Sequence, residues 1–511
     1  MEPINILSSS NSTTTTTIHY LSVPFGVLFF SILIYYYTFT TPRTKLPPGS
    51  MGLPIIGETL QFFAPYTSDD ISPFISKRVQ RYGPVFKTRL IGKPVIVSTD
   101  VDVNRLVLNQ ERDGREEMLF KPWYSDSFNE IMGNDSLLAF EGSAHKYMRN
   151  LVLEGFGPER LKTLLADVER HTVRHIHSWS LKPSIDLKEA ASTMIHSFTV
   201  EKVFSMNTDD DTEPLVREFK RCYDDFLHGL ISFPIYIPGT SYWKCMKGRK
   251  GALNIIKRLM DQRRESPHEE FKERDYLDFM IAEMKKDGSP LTEKVAIDLL
   301  FLLPFATFES TSSTIVTACH YLSKHPAALQ ELTREHEAIL RGREGSESGG
   351  ISWKEYKSMT FTHMVINETL RLTNIVPGIF RKAVKDVEVN GYLIPAGWTV
   401  MVYPASVHLN PKVYEDPLSF NPWRWKGQQL HSGSQNFMVF GGGVRLCAGA
   451  DFVKVQLAII FHHIVTKYRW DVIKGKEAVR YPGLIFPEGF HINISEKNVR
   501  GTSSEVTAGR R

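Results

Sequence analysis

The chain has 511 residues, more than one hydrophobic core usually supports, so its length predicts one large domain with a subdomain or two. A formal net charge of +4 is too small to indicate nucleic-acid binding, and no basic stripe is interleaved with aromatic residues. The four cysteines show no CxxC spacing, which argues against a zinc site or a disulfide framework and favours a reducing compartment.

The first predicted element is a membrane anchor at residues 20–40, an uncharged apolar stretch long enough to cross a bilayer as a helix. Residues 1–19 form a polar tail, and Arg43 and Lys45 follow the apolar stretch, so the positive-inside rule places the tail in the lumen and the rest in the cytosol. A cleaved signal peptide would need a basic start and a small-residue cleavage site, and neither is evident. We therefore expect an uncleaved, single-pass anchor in the endoplasmic reticulum membrane, with a formal glycosylation sequon at Asn11.

The remainder divides into a proline-rich hinge at 41–55, a main domain at 56–498 and a flexible tail at 499–511. Alternation around a central glycine predicts a hairpin at Pro84–Asp100, and short strands are expected near 384–403. Long helical patterns dominate elsewhere, and no long sequence period repeats, which excludes solenoids and propellers. The sequence thus predicts a mainly α fold with a small β subdomain.

Two apolar segments within the helical part contain unusual residues. Ile231–Cys245 is apolar, aromatic and broken by proline, so it is either core or a loop that dips into the membrane. Further on, the helical pattern LLFLLPFATFESTSSTIVTACHYL contains Glu309, Ser310 and Thr311 in succession. An acid and two hydroxyls in a buried helix are costly without partners, although Ser and Thr can bond back to the carbonyl one turn earlier.

A charged pair follows on the next strong helical pattern. Glu368 and Arg371 are spaced to share one helix face and to pair. A solvated surface salt bridge is the usual outcome for such a pair. However, the surrounding HMVINETLRL is apolar, and FNPWRW supplies Arg424 downstream. These features favour a buried structural group.

The sequence FGGGVRLCAG, from Phe440 to Gly449, places Cys447 in a glycine-rich turn before an apolar stretch. Glycine tolerates backbone angles that other residues avoid, so such a loop can bring several N–H groups around one thiolate sulfur. Arg445 adds a positive charge that favours the thiolate. A buried structural cysteine is the alternative.

This loop resembles the cysteine-ligand signature F-x-x-G-x-R-x-C-x-G of the cytochrome P-450 family. Phe440, Gly443, Arg445, Cys447 and Gly449 match it position by position. The resemblance extends over nearly the whole chain after about residue 45 and implies the cytochrome P-450 fold. It also implies haem b as cofactor, with Cys447 as the ligand of the iron.

The same family implies roles for the acid and the hydroxyls of the long apolar helix. Its oxygen-binding motif A-G-x-D/E-T-T has an acid–alcohol pair that relays protons to dioxygen. Ala306, Glu309 and Thr311 match this motif, Thr307 replaces the glycine, and Ser310 stands where threonine is usual. Serine keeps the hydroxyl but lacks the methyl group that fixes the rotamer, so we expect oxygen activation with more uncoupling.

The resemblance also assigns structural and haem-binding roles. Glu368 and Arg371 resemble the E-x-x-R motif, which with Arg424 forms a structural triad. The residues at positions that face the haem propionates are His145, Arg149, Arg381 and Arg445. Many relatives have Trp where His145 stands, and a role for His145 as axial ligand competes with the cysteine.

The motifs GGGVRLCAGADF, A-T-F-E-S-T and VTKYRW look most like the plant branch that oxidises steroids, triterpenoids and other isoprenoids. That branch also contains enzymes of brassinosteroid, gibberellin and abscisic acid metabolism, which remain alternatives. By resemblance to the segments that line pockets in this family, we expect a pocket formed by Phe120, Trp123, Phe305, Ala306, Val376, Ile379, Leu484 and Ile485. Most of these residues are apolar, which suits a rigid hydrocarbon skeleton.

The resemblance implies a monooxygenase that hydroxylates an apolar sterol or triterpenoid with O2 and electrons from NADPH-cytochrome P-450 reductase. The same residues also permit successive oxidation or C–C cleavage. The expected reductase face near the cysteine loop includes Lys426, Lys454, Lys467 and Arg469, which are otherwise ordinary solvated charges. An O2-independent isomerase or dehydratase, and a non-catalytic haem carrier, are the alternatives; the intact Glu309-Ser310 pair argues against the first. The loop within Ile231–Cys245 implies membrane lipid as a further partner.

Overall fold

The computed structural model describes residues 27, 29–32, 45–68, 70–109, 118–206, 213–265, 275–343, 349–428, 434, 436–475, 478–481 and 483–497. Residue 27 and residues 29–32 are helical. The rest of the expected anchor at 20–40 lies outside the described residues, as do the sequon at Asn11 and the tail at 499–511.

Helices make up most of the described chain. They are α1 (Thr59–Phe62), α2 (Pro73–Tyr82), α3 (Val101–Asn109), α4 (Asp126–Met132), α5 (Gly142–Phe156), α6 (Pro158–Ser180), α7 (Leu187–Phe204), α8 (Glu213–Gly229), α9 (Ser241–Glu265), α10 (Tyr276–Met284), α11 (Glu293–Lys324), α12 (Pro326–Arg341), α13 (Trp353–Ser358), α14 (Thr360–Thr373), α15 (Ala405–His408) and α16 (Ala450–Lys467). Short 3-10 turns lie at Pro422–Trp425 and Gly443–Arg445.

The strands are short. They are β1 (Tyr66–Thr67), β2 (Val85–Leu90), β3 (Lys93–Ser98), β4 (Phe120–Pro122), β5 (Ile185–Asp186), β6 (Ile379–Ala383), β7 (Val387–Val389), β8 (Tyr392–Ile394), β9 (Thr399–Val402), β10 (Tyr468–Lys474), β11 (Val479–Tyr481), β12 (Gly483–Ile485) and β13 (His491–Glu496). The largest sheet has the order β2-β3-β9-β6-β4; smaller sheets are β1-β11-β12, β10-β13-β5 and β7-β8. The predicted mainly helical fold with a small β part is confirmed.

The hairpin predicted at Pro84–Asp100 is β2–β3, antiparallel from Val85 opposite Ser98 to Leu90 opposite Lys93. Strand β9 joins it in parallel through a long crossover, and β6 and β4 complete the sheet in antiparallel register. This arrangement brings the segment after α14 next to the segment before α4.

The long helix α11 runs through the centre of the helical part. Among the described residues it alone is long and apolar enough to span a membrane, but 72% of its most apolar window is buried inside the protein. Its first turn is capped by Thr292, whose side chain accepts from the Val295 N–H. Burial on nearly all faces explains its continuous apolar sequence, so α11 is a core helix.

The predicted hinge at 41–55 is attached to the β part from Lys45 onward. The Lys87 N–H donates to the Pro48 carbonyl at 2.9 Å, and the Leu393 N–H donates to the Lys45 carbonyl at 2.7 Å. Because two strands hold this short segment, the point at which the chain reaches the domain is defined.

The apolar loop predicted at Ile231–Cys245 is shorter than expected, because α9 begins at Ser241. The Thr240 hydroxyl accepts from the Trp243 N–H at 3.2 Å, which satisfies one of the free donors of the first turn. The remaining loop keeps its apolar side chains in solvent; Phe233 is 64% exposed.

Candidate active site

The cysteine loop is a closed turn between the 3-10 turn Gly443–Arg445 and helix α16. The Cys447 N–H donates to the Phe440 carbonyl at 3.0 Å, which closes the loop. Gly443 has φ +64, and a Cβ there would lie 2.1 Å from the Leu108 carbonyl oxygen. Only glycine fits this close approach, so this position of the signature is a steric requirement.

The Cys447 thiol is accessible to solvent but closely surrounded by protein. Its side chain is exposed, yet burial raises its pKa. A group has both properties when protein surrounds it on most sides and leaves one side open. The backbone N–H of Gly449 and the charge of Arg149 act in the opposite direction on this pKa and favour the thiolate.

Three arginines and a histidine lie close together near Cys447. Burial, together with the charges of Arg445, Arg149 and Arg381, lowers the pKa of His145 to about 4. His145 is therefore neutral at physiological pH, and one ring nitrogen is free to accept a hydrogen bond. The four side chains come from α5, β6 and the cysteine loop, so the cluster exists only in the folded chain.

The arginines of this cluster are oriented by backbone carbonyls. Arg149 donates to the Leu446 carbonyl, Arg445 donates to the Phe140 carbonyl, and Arg381 donates to the carbonyl of its neighbour Phe380 at 2.9 Å. A haem has two propionates, which need cationic or hydrogen-bonding partners. A reachable thiol next to such a cluster fits the haem that the resemblance implies.

Helix α11 carries the acid and the hydroxyls. Lys188, at the start of α7, donates to the Glu309 carboxylate at 3.0 Å and to the Ser312 hydroxyl at 2.8 Å. Burial lowers the pKa of Lys188, and the charge of Glu309 acts in the opposite direction. Sequence analysis missed Lys188, since nothing near it in the chain indicates its partner; the only local signal is a lysine ahead of an apolar helical stretch.

The two neighbouring hydroxyls differ in their partners. Ser310 donates to the Ala306 carbonyl at 3.1 Å, one turn back along α11. Thr311 is fully buried, and its hydroxyl has no hydrogen-bond partner among the described residues. Nor does any hydrogen bond or ion pair link Glu309, Ser310 or Thr311 to the cysteine loop in the described part of the chain.

Glu368 is the centre of a fully buried network. Its carboxylate accepts from Arg371 at 2.8 and 2.9 Å and from Arg424 at 3.0 Å. Two donors that the sequence did not indicate complete the network: the Trp425 indole at 3.0 Å and the Asn421 N–H at 2.9 Å. Glu368 and Arg371 are both 0% exposed, so the solvated surface pair that was the alternative is excluded.

The predicted pocket residues occupy four segments of different exposure. Ala306 is exposed although it lies on the mostly buried α11, and Val376 and Ile485 are 51% and 43% exposed. The Ile379 Cδ1 atom would lie 3.7 Å from a Cβ on Gly441, so Ile379 is next to the cysteine loop. Exposed apolar side chains in these segments suit contact with an apolar ligand.

Three further pocket residues are packed against neighbours. Trp123 lies edge-on to Phe380 with 5.9 Å between ring centroids, and Phe305 contacts Phe226 at 5.2 Å. Phe120 is 1% exposed within a second hydrophobic cluster, because strand β4 places it opposite Ala383. The Phe120 side chain therefore belongs to the core here, and its place in the pocket stays a prediction.

Comparison with known proteins gives consistent matches. The family model described as Cytochrome P450 matches residues 47–487. Cytochrome P450 87A3 of Oryza sativa subsp. japonica is 47% identical over 466 residues, which cover 90% of this chain and 88% of that protein. Cucurbitadienol 11-hydroxylase of Siraitia grosvenorii is 42% identical over 456 residues, covering 88% and 93%.

Weaker matches point the same way. Other relatives between 35% and 39% identical are named as hydroxylases of beta-amyrin and of cholesterol. The solved structure of retinoic acid bound cyanobacterial CYP120A1 has a TM-score of 0.77 at 24% identity and covers 89% of this chain and 100% of that one. At this identity the structure supports the fold alone.

Proposed function

Because this chain belongs to the cytochrome P450 family, we propose that it is a membrane-bound monooxygenase that hydroxylates a sterol or triterpenoid. The family carries a haem-thiolate cofactor. The observation that supports the assignment best is the Cys447 thiol, which is reachable from one side and lies beside a cluster of cations that could hold two propionates.

We assign haem b as the cofactor, with Cys447 as iron ligand. Arg149, Arg381 and Arg445 would hold the propionates, and neutral His145 would accept or donate one further hydrogen bond there. The bound haem supplies the activation of O2. Gly443 lets the loop approach Leu108 closely, whereas a Cβ on Gly449 would meet the sulfur at 3.9 Å, an ordinary contact. A competing role of His145 as iron ligand has less support, since the side chain is only 5% exposed.

Glu309 and Ser310 deliver protons in this proposal, with Thr311 in support. Lys188 holds the Glu309 carboxylate in a fixed position at 3.0 Å. The Ser310 hydroxyl, which now donates to the Ala306 carbonyl, can turn about one bond to pass a proton onward. The Thr311 hydroxyl, which has no hydrogen-bond partner among the described residues, provides a second hydroxyl next to Ser310.

The relatives and the apolar residues of the predicted pocket support the substrate class. Relatives act on cucurbitadienol, beta-amyrin and cholesterol by name, and all of these are rigid polycyclic alcohols. In a hydroxylation, one oxygen atom of O2 enters a C–H bond and the other leaves as water, which takes two electrons and two protons. NADPH-cytochrome P-450 reductase supplies the electrons. The face of this chain that we propose contacts the reductase includes the exposed residues Lys426, Lys467 and Arg469 and the half-buried Lys454.

We further propose a single-pass anchor at 20–40 in the endoplasmic reticulum membrane, with the catalytic domain at 56–498 in the cytosol. The apolar loop before α9 supports a lipid contact, because its side chains lie in solvent: Phe233, Ile235 and Tyr236 are 64%, 52% and 65% exposed. The hinge at 41–55, attached to the β part from Lys45, would set the distance between this loop and the anchor.

The test is the optical spectrum of the ferrous protein with carbon monoxide, together with titration of the ferric protein by ligands. We expect the red-shifted Soret band of thiolate ligation in the wild type and its loss in Cys447→Ser, while Cys222→Ser on α8 keeps it. Sterols or triterpenoids should shift the ferric protein from low to high spin. A folded wild type without the red-shifted band would exclude thiolate ligation and with it the monooxygenase assignment. A spin shift produced only by gibberellin- or abscisic acid-type acids would move the substrate to that class.

A further inference from the structure

Arg480 is a buried cation on the middle strand of the small sheet β1-β11-β12. The residue is 5% exposed, although β11 is only three residues long. Its guanidinium donates to the carbonyl oxygens of Leu372 at 3.3 Å, Thr373 at 2.5 Å and Asn374 at 2.9 Å. No carboxylate in the described part of the chain forms an ion pair with Arg480.

These three acceptors are the end of helix α14. Thr373 is its last residue, and Asn374 follows in the left-handed conformation with φ +40. The last carbonyls of a helix have no partners within it and carry the negative end of its dipole. Arg480 therefore satisfies both the hydrogen bonding and the charge of this helix end, from a strand more than 100 residues further along the chain.

The position of Arg480 determines the position of Leu484. Strands β11 and β12 pair with Arg480 opposite Leu484 and Val479 opposite Ile485. A cavity of only about 10 Å³ lies between Arg480, Leu484 and Leu372, which leaves room for about one water molecule at most. A shift of the guanidinium would thus be transmitted to β12.

The end of helix α14 is also connected to a second wall of the predicted pocket. Asn374 leads directly into the segment with Val376 and Ile379, and the latter begins strand β6 beside the cysteine loop. Leu484 and Ile485 on one side, and Val376 and Ile379 on the other, are the pocket residues that the resemblance implied. The Arg480 side chain connects these two segments.

We propose that Arg480 is a positioning residue that sets the separation of these two pocket walls and thereby selects the substrate carbon that is hydroxylated. The inference rests on the proposed function, because it takes both segments as walls of the substrate pocket. Arg480 acts through them without touching the substrate. A misplacement of about 1 Å in a site of this kind is enough to change rates about 100-fold.

The test compares Arg480→Gln and Arg480→Lys with the wild type, using purified full-length protein, the reductase, and the sterol or triterpenoid that gives the largest spin shift. Arg341→Gln, on an exposed arginine at the end of α12, is the matched control. We expect the ratio of the main to the minor hydroxylated product to fall about tenfold in Arg480→Gln, with a rise in KM larger than the fall in kcat. Lysine keeps the charge but reaches fewer carbonyls, so it should restore part of the ratio.

The outcomes separate the two proposals. If the wild type gives neither a spin shift nor a product with any such compound, the proposed function fails. If the wild type is active and both Arg480 variants keep its product ratio, only the role of Arg480 is overturned. The ferrous carbon monoxide spectrum and thermal unfolding report whether each variant folds. If Arg480→Gln does not fold, the product ratio of Arg480→Lys decides. Failure of both variants to fold would assign Arg480 to the stability of the domain and overturn the specific role.

Discussion

Substitution of Glu368 by glutamine tests the buried network most directly. Glutamine keeps one oxygen and replaces the other by an NH2 group. That NH2 group faces either Arg371 and Trp425, which donate to one carboxylate oxygen, or the donors of the other oxygen. Two or three charge-assisted hydrogen bonds are lost, depending on which oxygen the NH2 group replaces, and each is worth about 1.5–3 kcal/mol. The fully buried Arg371 is also left without its counter-charge, a change that costs about 3–5 kcal/mol in comparable pairs.

The lost hydrogen bonds and the unpaired charge of Arg371 predict a loss of stability of similar size. We expect Glu368→Gln to lower the free energy of unfolding by about 3–5 kcal/mol, a large share of the total for a domain. The assay is denaturant unfolding followed by fluorescence, with haem content read from the ferrous carbon monoxide band. Arg371 also donates to the His408 and Pro417 carbonyls at 2.6 Å, so part of the network should survive in the variant.

A matched control is Glu388→Gln on strand β7. Glu388 pairs with Lys45 at 3.0 Å but is 69% exposed, so its loss should cost less than about 1 kcal/mol. Equal stability of the Glu368→Gln protein and the wild type, within the error of the control, would refute the view that this network holds the domain together.

Three further predictions follow from the site and the core. Ser310→Ala should lower product formed per NADPH by about tenfold and raise peroxide; unchanged coupling would rule out Ser310 as the relay. Lys188→Met should also lower coupling with little change in KM, because it frees the Glu309 carboxylate; wild-type coupling would show that this ion pair is only structural. The third concerns His336 and His462, whose ring nitrogens lie 3.1 Å apart and whose pKa values burial lowers to about 3. As the pH falls, both rings take up protons in the unfolded chain before they do so in the folded protein. The free energy of unfolding should therefore be highest above about pH 6.5 and fall toward pH 3, by about 1.4 kcal/mol per pH unit for each ring. The slope of the unfolding free energy against pH, measured from urea midpoints, should decrease in His462→Gln. An unchanged slope would show that these two histidines do not cause the pH dependence.

The local parts of the site could be predicted from the sequence. The spacing of Glu368 and Arg371 on one helix face, and the glycine at Gly443, follow from rules that act over a few residues. The hairpin β2–β3 and the helix α11 were predictable for the same reason, since alternation and a long apolar pattern each have one common outcome.

The contacts between distant segments could not be predicted. Lys188 and Glu309 lie 121 positions apart, and Arg480 reaches carbonyls that lie 106 to 108 positions before it. Backbone carbonyls are present at every residue, so no side-chain pattern marks the ones that Arg480 chooses. The strands β11 and β12 are three residues each, too short for alternation to indicate them.

The closure of the cysteine loop also has a consequence for biosynthesis. Leu446 and Arg445 bind Arg149 and Phe140, which are 297 and 305 positions closer to the N-terminus. At usual translation rates, roughly 15 to 60 seconds separate the synthesis of these partners. If Cys447 ligates haem as we propose, the haem site is therefore incomplete until almost the whole polypeptide has left the ribosome. We expect the nascent chain to wait as an apoprotein with an open loop, and its capture of haem to be one of the last steps of maturation.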